Sequence, residues 1–177
     1  MTKKLTGKTR RDSLLTWLQN SKTPLTGTEL ADKANVSRQA IVQDISLLKA
    51  HNHPIIATSN GYLYMRAENE KTDFRRVIAC NHESKDTKEE LYTIVDFGAT
   101  VEDVIIEHPI YGDLKASLMI SSRADVDQFV RKIKEKNAPY LLELTDGIHN
   151  HTMVANEEWK LDQAYKALKD KGFIVEQ

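Results

Sequence analysis

The sequence predicts an α+β fold in two modules: three helices closed by a β-hairpin, then a sheet covered by helices on one face. Three observations predict it. Apolar residues keep a helical period through Leu14, Leu18, Ile41, Ile45 and Leu48, then shift beyond His53 to the short β-prone runs Pro54–Ala57 and Tyr62–Met65. A polar stretch over 67–73, AENEKTD, follows and reads as a linker. Charge also divides there: residues 1–66 hold ten Lys/Arg against four Asp/Glu, and residues 67–177 hold fifteen against twenty-two. A net charge of −1 therefore conceals a basic segment suited to a polyanion and an acidic one that is not.

Each element has a local reason. Thr9–Ser21 aligns Leu14, Leu15, Trp17 and Leu18 on one stripe, and Pro24 forbids continuation. Thr26-Gly-Thr-Glu29 is a capping box opening a short helix to Ala34. Asn35 suits the left-handed residue of the next turn, and Ser37 caps a third helix to Ala50 with Ile41, Ile45 and Leu48 inward. Asn60-Gly61 predicts a type I′ hairpin turn within Thr58–Gly61. Three helices and a hairpin make a winged helix-turn-helix over residues 1–66.

Residues 74–177 form the second module. A strand over Arg76–Asn81 precedes a helix over Thr87–Asp96, which Gly98 stops. Strands Val101–Glu107 and Leu114–Ile120 flank the turn His108-Pro-Ile-Tyr-Gly112. Ser122 caps a helix over Arg123–Lys136, and a loop and strand follow through Tyr140–Val154. A helix over Asn156–Lys171 ends at Gly172, and Phe173–Val175 reads as an edge strand. Helices alternating with antiparallel-compatible strands make an α+β layer.

Composition excludes several classes. No apolar run reaches the roughly 18 residues of a membrane span. The basic N-terminus has no apolar core of a signal peptide, and the single Cys80 forms no internal disulfide. The expectation is a cytoplasmic protein. There is no nucleophile motif and no Gly-rich phosphate loop, so no catalytic residue is assigned and a non-enzyme is expected.

In the third helix, Arg38, Gln39, Val42, Gln43 and Ser46 remain outward, where Arg pairs with guanine and Gln with adenine in a major groove. Thr26 and Ser37, at helix starts, suit phosphate oxygens. Asn60 at the wing tip would meet the minor groove or backbone. Lys3, Lys4, Lys8, Arg10 and Arg11 would add phosphate contacts. The expected DNA-binding set is Thr26, Ser37, Arg38, Gln39, Gln43 and Asn60, on a double-stranded operator.

The histidines divide. His51 and His53 read as polar loop residues, and His149-Asn150-His151 in an extended segment puts two imidazoles on one face. His82 offers a third. With Leu91, Ile94 and Val95 inward, Glu89 turns to solvent while Glu90 sits beside the sheet as the better fourth ligand. Such a set, His82, Glu90, His149 and His151, suits zinc, nickel or ferrous iron, and spacing does not choose among them. Cys80 reads as a buried thiol, and His108 as turn chemistry or a contact behind the site, with an effector contact as the alternative. Arg123 and Lys115 read as solvated charges, with pairing to an effector carboxylate as the alternative.

Two resemblances add to this. The string VSRQAIVQDISLL (36–48) resembles the second half of the helix-turn-helix in biotin-repressor-type regulators. Cys80-Asn81-His82 with Glu90, then His108–Gly112, then Asp146-Gly-Ile-His149-Asn-His151, resemble the 3H domain, and the whole chain is similar to the niacin-responsive repressors of NAD biosynthesis. That resemblance implies nickel held by His82, Glu90, His149 and His151, a fold like that of histidine-containing phosphocarrier proteins, a homodimer, and nicotinic acid as co-repressor. Two rivals stay open: a regulator for which the metal itself is the signal, and a metal-dependent hydrolase.

Overall fold

The computed structural model describes residues 6–65 and 73–175. They fall into two units, Met1–Glu68 and Asn69–Gln177. The expected linker 67–73, except Asp73, lies outside the described residues, as do Lys3 and Lys4.

The first unit is α1 (Gly7–Asn20), α2 (Gly27–Ala34), α3 (Arg38–Ala50), β1 (Ile55–Thr58) and β2 (Gly61–Tyr64). Its ends are set by the expected caps. Thr26 and Glu29 close a reciprocal capping box, Asn35 is left-handed at φ 51°, and the Ser37 hydroxyl accepts from the Ala40 amide. Leu14, Leu18, Leu30, Ile41, Ile45, Leu48 and Ile55 are buried together. Burial of such side chains contributes about 1.5–3 kcal/mol each, more than helix propensity supplies.

Two expectations are corrected here. Thr58 pairs with Gly61, so the turn residues are Ser59 and Asn60, neither at positive φ; the turn is not type I′. Gly61 instead lies in the strand at φ 132°, where a Cβ would stand 2.6 Å from the Leu25 backbone, because Leu25 pairs with Tyr62 across the hairpin edge. Arg10 and Arg11 are not free for phosphate either. Both bind Asp44, a carboxylate buried on the inner face of α3, and so tie α1 to that helix. Substituting Asp44→Ala leaves two guanidiniums without their anion. The cost is about 2–3 kcal/mol, below that of a fully buried pair because both arginines reach solvent, and calorimetry should show this unit melting roughly 10–20 °C lower.

The second unit contains β3 (Phe74–Asn81), α4 (Thr87–Asp96), β4 (Thr100–His108), β5 (Gly112–Ile120), α5 (Arg123–Lys136), β6 (Ile148–Ala155) and α6 (Glu158–Asp170), with a 3-10 turn at Leu141–Thr145. The sheet is antiparallel throughout, in the order β3-β6-β4-β5. Ile78, Val101, Ile120 and Met153 of the sheet pack with Leu91, Ile94, Val126, Leu161 and Leu168 of the helices in one core. The segment expected as an edge strand at 173–175 makes a single bridge, Ile174 to Cys80, on the edge of β3. A register shift between Val101 and Asp103 bulges β4 against both neighbours, beside the histidines of β6.

Candidate metal centre and nucleic-acid interface

The sheet order inserts β6 beside β3, with Cys80 opposite His149 and Ile78 opposite His151. Alternation then turns both imidazoles toward α4. His82 follows β3 directly, and Glu90 faces inward from the first turn of α4. The four side chains meet around one carboxylate. Nε2 of His82 lies 2.9 Å from Glu90 Oε2, Nε2 of His149 3.1 Å from Oε1, and Nε2 of His151 3.3 Å from Oε2. All four residues are buried, Glu90 completely.

The opposite edge of each ring is fixed by backbone. His82 Nδ1 donates to the Glu83 carbonyl at 2.9 Å, His149 Nδ1 to Gly147 at 2.8 Å, and His151 Nδ1 to Asp103 at 2.6 Å. A carbonyl only accepts, so each Nδ1 carries a proton and each neutral ring presents an Nε2 lone pair to an anion. Such a face needs protons or a cation between its members. Without a metal, protons serve. Burial opposes charge on His82 and His151, but the Glu90 carboxylate outweighs it and raises both above the ordinary imidazole range. Burial likewise opposes ionisation of Glu90, yet the charge on His151 and the three imidazole bonds hold it well below the usual carboxylate range.

The same arrangement fits a transition metal. Bonds of about 2.1 Å imply ligand atoms roughly 3–3.4 Å apart, the spacing found around Glu90. Imidazoles that donate Nδ1–H to carbonyls are also how metal-binding histidines are oriented. Cys80 adds a contact that reading it as a core thiol missed. Its Sγ, Glu90 and His149 offer atoms within 4.8 Å of one another. Burial first, then the Glu90 carboxylate, push the thiol far up, so it stays S–H and hydrogen-bonds to Glu90.

Two positioning features had no signal in spacing. The bulge in β4 turns the Asp103 carbonyl to His151 while the Asp103 carboxylate accepts from the Thr152 amide and pairs with Lys115 at 2.6 Å. Gly147, at φ 98°, presses its α-carbon against His82; a Cβ there would lie 2.6 Å from the His82 carbonyl oxygen. Its own carbonyl accepts from the His149 ring and the His82 amide. Gly147→Ala should cost about 1–3 kcal/mol from its backbone conformation. It should also weaken metal binding about tenfold or more, read by titration against a chelator; a change under about twofold would show that both histidines are placed without it.

Other expected residues are placed as follows. Lys115 and Arg123 are exposed charges, and each is paired, the first with Asp103 and the second with both oxygens of Asp96, which speaks against the alternative of an effector contact. His108 is turn chemistry, its Nδ1 accepting from the amides of Ile110 and Tyr111. Glu89 is exposed and pairs with Lys171. In the first unit Ser37, Arg38, Gln39 and Gln43 are exposed along the start of α3, and Lys8 on α1. Val42 is only half exposed, and Ser46 returns its hydroxyl to the Val42 carbonyl. The Thr26 hydroxyl gives its proton to Glu29 at 2.8 Å, so it is a helix cap whose neighbouring carboxylate repels phosphate. Asn60 is half-buried at the turn, with its Oδ1 buried. The expected DNA-binding residues that are fully exposed are those at the start of α3.

A capped helix-turn-helix with a polar outer face, on the same chain as an α+β module enclosing three histidines and a glutamate, defines a two-module class. Residues 10–63 match the HTH domain and residues 75–177 the 3H domain. Transcription repressor NadR of Bacillus subtilis (strain 168) is 57% identical over 173 residues, covering 97% of this chain and 96% of that protein. The probable transcription repressor NiaR of Thermotoga maritima is 37% identical over 168 residues, covering 95% and 94%. The chain belongs to this family of proteins, which join an HTH domain to a 3H domain. No described helix is long and apolar enough to cross a membrane.

Proposed function

We propose that the chain is a cytoplasmic transcription repressor of genes for NAD biosynthesis or niacin uptake, with nicotinic acid as co-repressor and a divalent transition metal, nickel by family resemblance, in its 3H module. The observation that carries the reading is the convergence of three backbone-oriented Nε2 atoms on the buried Glu90, in a chain that also presents an exposed recognition helix. The names of its relatives support repression. His82, Glu90, His149 and His151 hold the metal, and Asp103, Gly147 and Glu83 orient the rings. A bound ion supplies positive charge for an anionic effector. Ser37, Arg38, Gln39 and Gln43 meet the operator.

The chain acts as a homodimer, its two recognition helices reading half-sites about 34–36 Å apart on a two-fold operator. Nicotinate then acts by binding the DNA-competent dimer more tightly than the incompetent one; an affinity ratio of about 100 supplies roughly 2.7 kcal/mol of coupling. The test is a gel shift on the chain's own upstream region with metal and nicotinate varied separately. Tight binding only with both supports the reading. An equal response to metal alone would make the ion the signal, and metal-dependent hydrolysis lost in Glu90→Gln would make the chain an enzyme.

A further inference from the structure

Gly27 opens α2 without a positive φ, so its backbone does not call for glycine. Alanine is the better helix former by propensity, and the reason for a glycine lies in space rather than along the chain. A Cβ on Gly27 would stand 3.3 Å from Nε and 3.5 Å from Cγ of Arg38, and 3.6 Å from Cε2 of Tyr62. The arm of Arg38 therefore lies along the bare side of Gly27, and the Tyr62 ring borders the same space.

Three elements fix this junction. Leu25 and Tyr62 exchange backbone hydrogen bonds of 2.9 and 2.8 Å, which ties the approach to α2 to the hairpin strand β2. The capping box of Thr26 and Glu29 sets the first turn of α2, and Ser37 caps α3 so that Arg38 is its first residue. Arg38 is exposed, and among the described residues no carboxylate pairs with it. Its direction is set by shape and not by charge, which leaves the guanidinium donors for a base edge.

That matters for reading a base. Bidentate pairing with guanine O6 and N7 requires the guanidinium fork in one orientation. A long side chain that wanders among rotamers loses that freedom on binding, at a cost of about 2–10-fold in affinity. An arm confined beforehand avoids most of the loss.

We propose that Gly27 is a positioning residue for base reading: its missing side chain leaves the shelf along which Arg38 is aimed. The hairpin and α2 together then set the arm that α3 presents to the groove. The inference rests on Arg38 reading an operator base, and adds the residue that aims it.

The test compares full-length native, Gly27→Ala, Arg38→Ala and doubly substituted proteins by fluorescence anisotropy on operator and scrambled duplexes, with thermal melting alongside. Gly27→Ala should lower the operator preference by about 2–10-fold. It removes no charge, so the salt slope should stay as it is, and the protein should melt no lower than the native chain. In the Arg38→Ala background the same change should cost nothing further, because the contact it disturbs is already gone. If Gly27→Ala keeps the full preference while Arg38→Ala loses it, Arg38 reads without this shelf; the inference falls and the base-reading assignment stands. An equal loss in the Arg38→Ala background would put the new methyl against DNA itself, and a lower melting temperature would make Gly27 a structural residue; either overturns the inference. If neither substitution changes the preference, the inference and the assignment of Arg38 fall together.

Discussion

Glu90→Gln should abolish the metal-dependent stabilisation of the 3H module while leaving it folded. The amide side chain matches the volume of the native carboxylate and still hydrogen-bonds to the imidazoles, so the core is not opened. What disappears is the negative charge on which all three Nε2 atoms converge. Substituting residues that merely orient a ligand weakens metal binding about 10–100-fold, and a ligand itself should count for at least the upper end. At a free metal concentration of about 100 times the native Kd, binding adds roughly 2.7 kcal/mol of stability. With Kd raised about 100-fold, the same concentration adds only about 0.4 kcal/mol. For a unit of this size the native Tm should rise by roughly 10–20 °C on adding nickel or zinc, and that of the variant by at most about 3 °C. Equal shifts would show that the ion, if it binds, sits elsewhere.

Arg38→Ala should weaken operator binding by about 10–100-fold, the value of one good base contact. Arg38 opens α3 and is exposed, so its removal should change stability by less than about 0.5 kcal/mol. Lys8→Ala is the contrasting substitution. An exposed lysine on α1 contacts phosphate at most, so it should weaken specific and random DNA alike and lower the salt slope by about one. Fluorescence anisotropy with operator and scrambled duplexes at fixed ionic strength separates the two effects. An Arg38→Ala chain that keeps its operator preference would move base reading to another element.

Much of this molecule was legible because its signals are short-range. The Thr26–Glu29 box, the Ser37 and Ser122 caps and the left-handed Asn35 each depend on residues within a few positions. The metal-ligand candidates were legible too, since a period of two puts His149 and His151 on one face and a step of 100° turns Glu90 inward. The Asp44 anchor also has a local signal. Position 44 lies on the same helix face as Ile41, Ile45 and Leu48, so a carboxylate there is buried and must find cations. The turn of the wing departs from its local signal because Asn-Gly favours type I′ only as an isolated pair, whereas Gly61 answers to Leu25 far away in sequence.

The sequence by itself determined the elements, their order, the outward face of α3 and the residue types able to hold a metal, because periodicity and capping act over a turn or two of chain. Only the tertiary structure decided which atoms those residues present. The order β3-β6-β4-β5 carries the Asp103 carbonyl to His151, Gly147 lets β6 begin against His82, and α4 closes Glu90 over the sheet. Those contacts join segments distant along the chain. No local pattern encodes the proton on Nδ1, which is fixed only once the strands are paired and the helices packed.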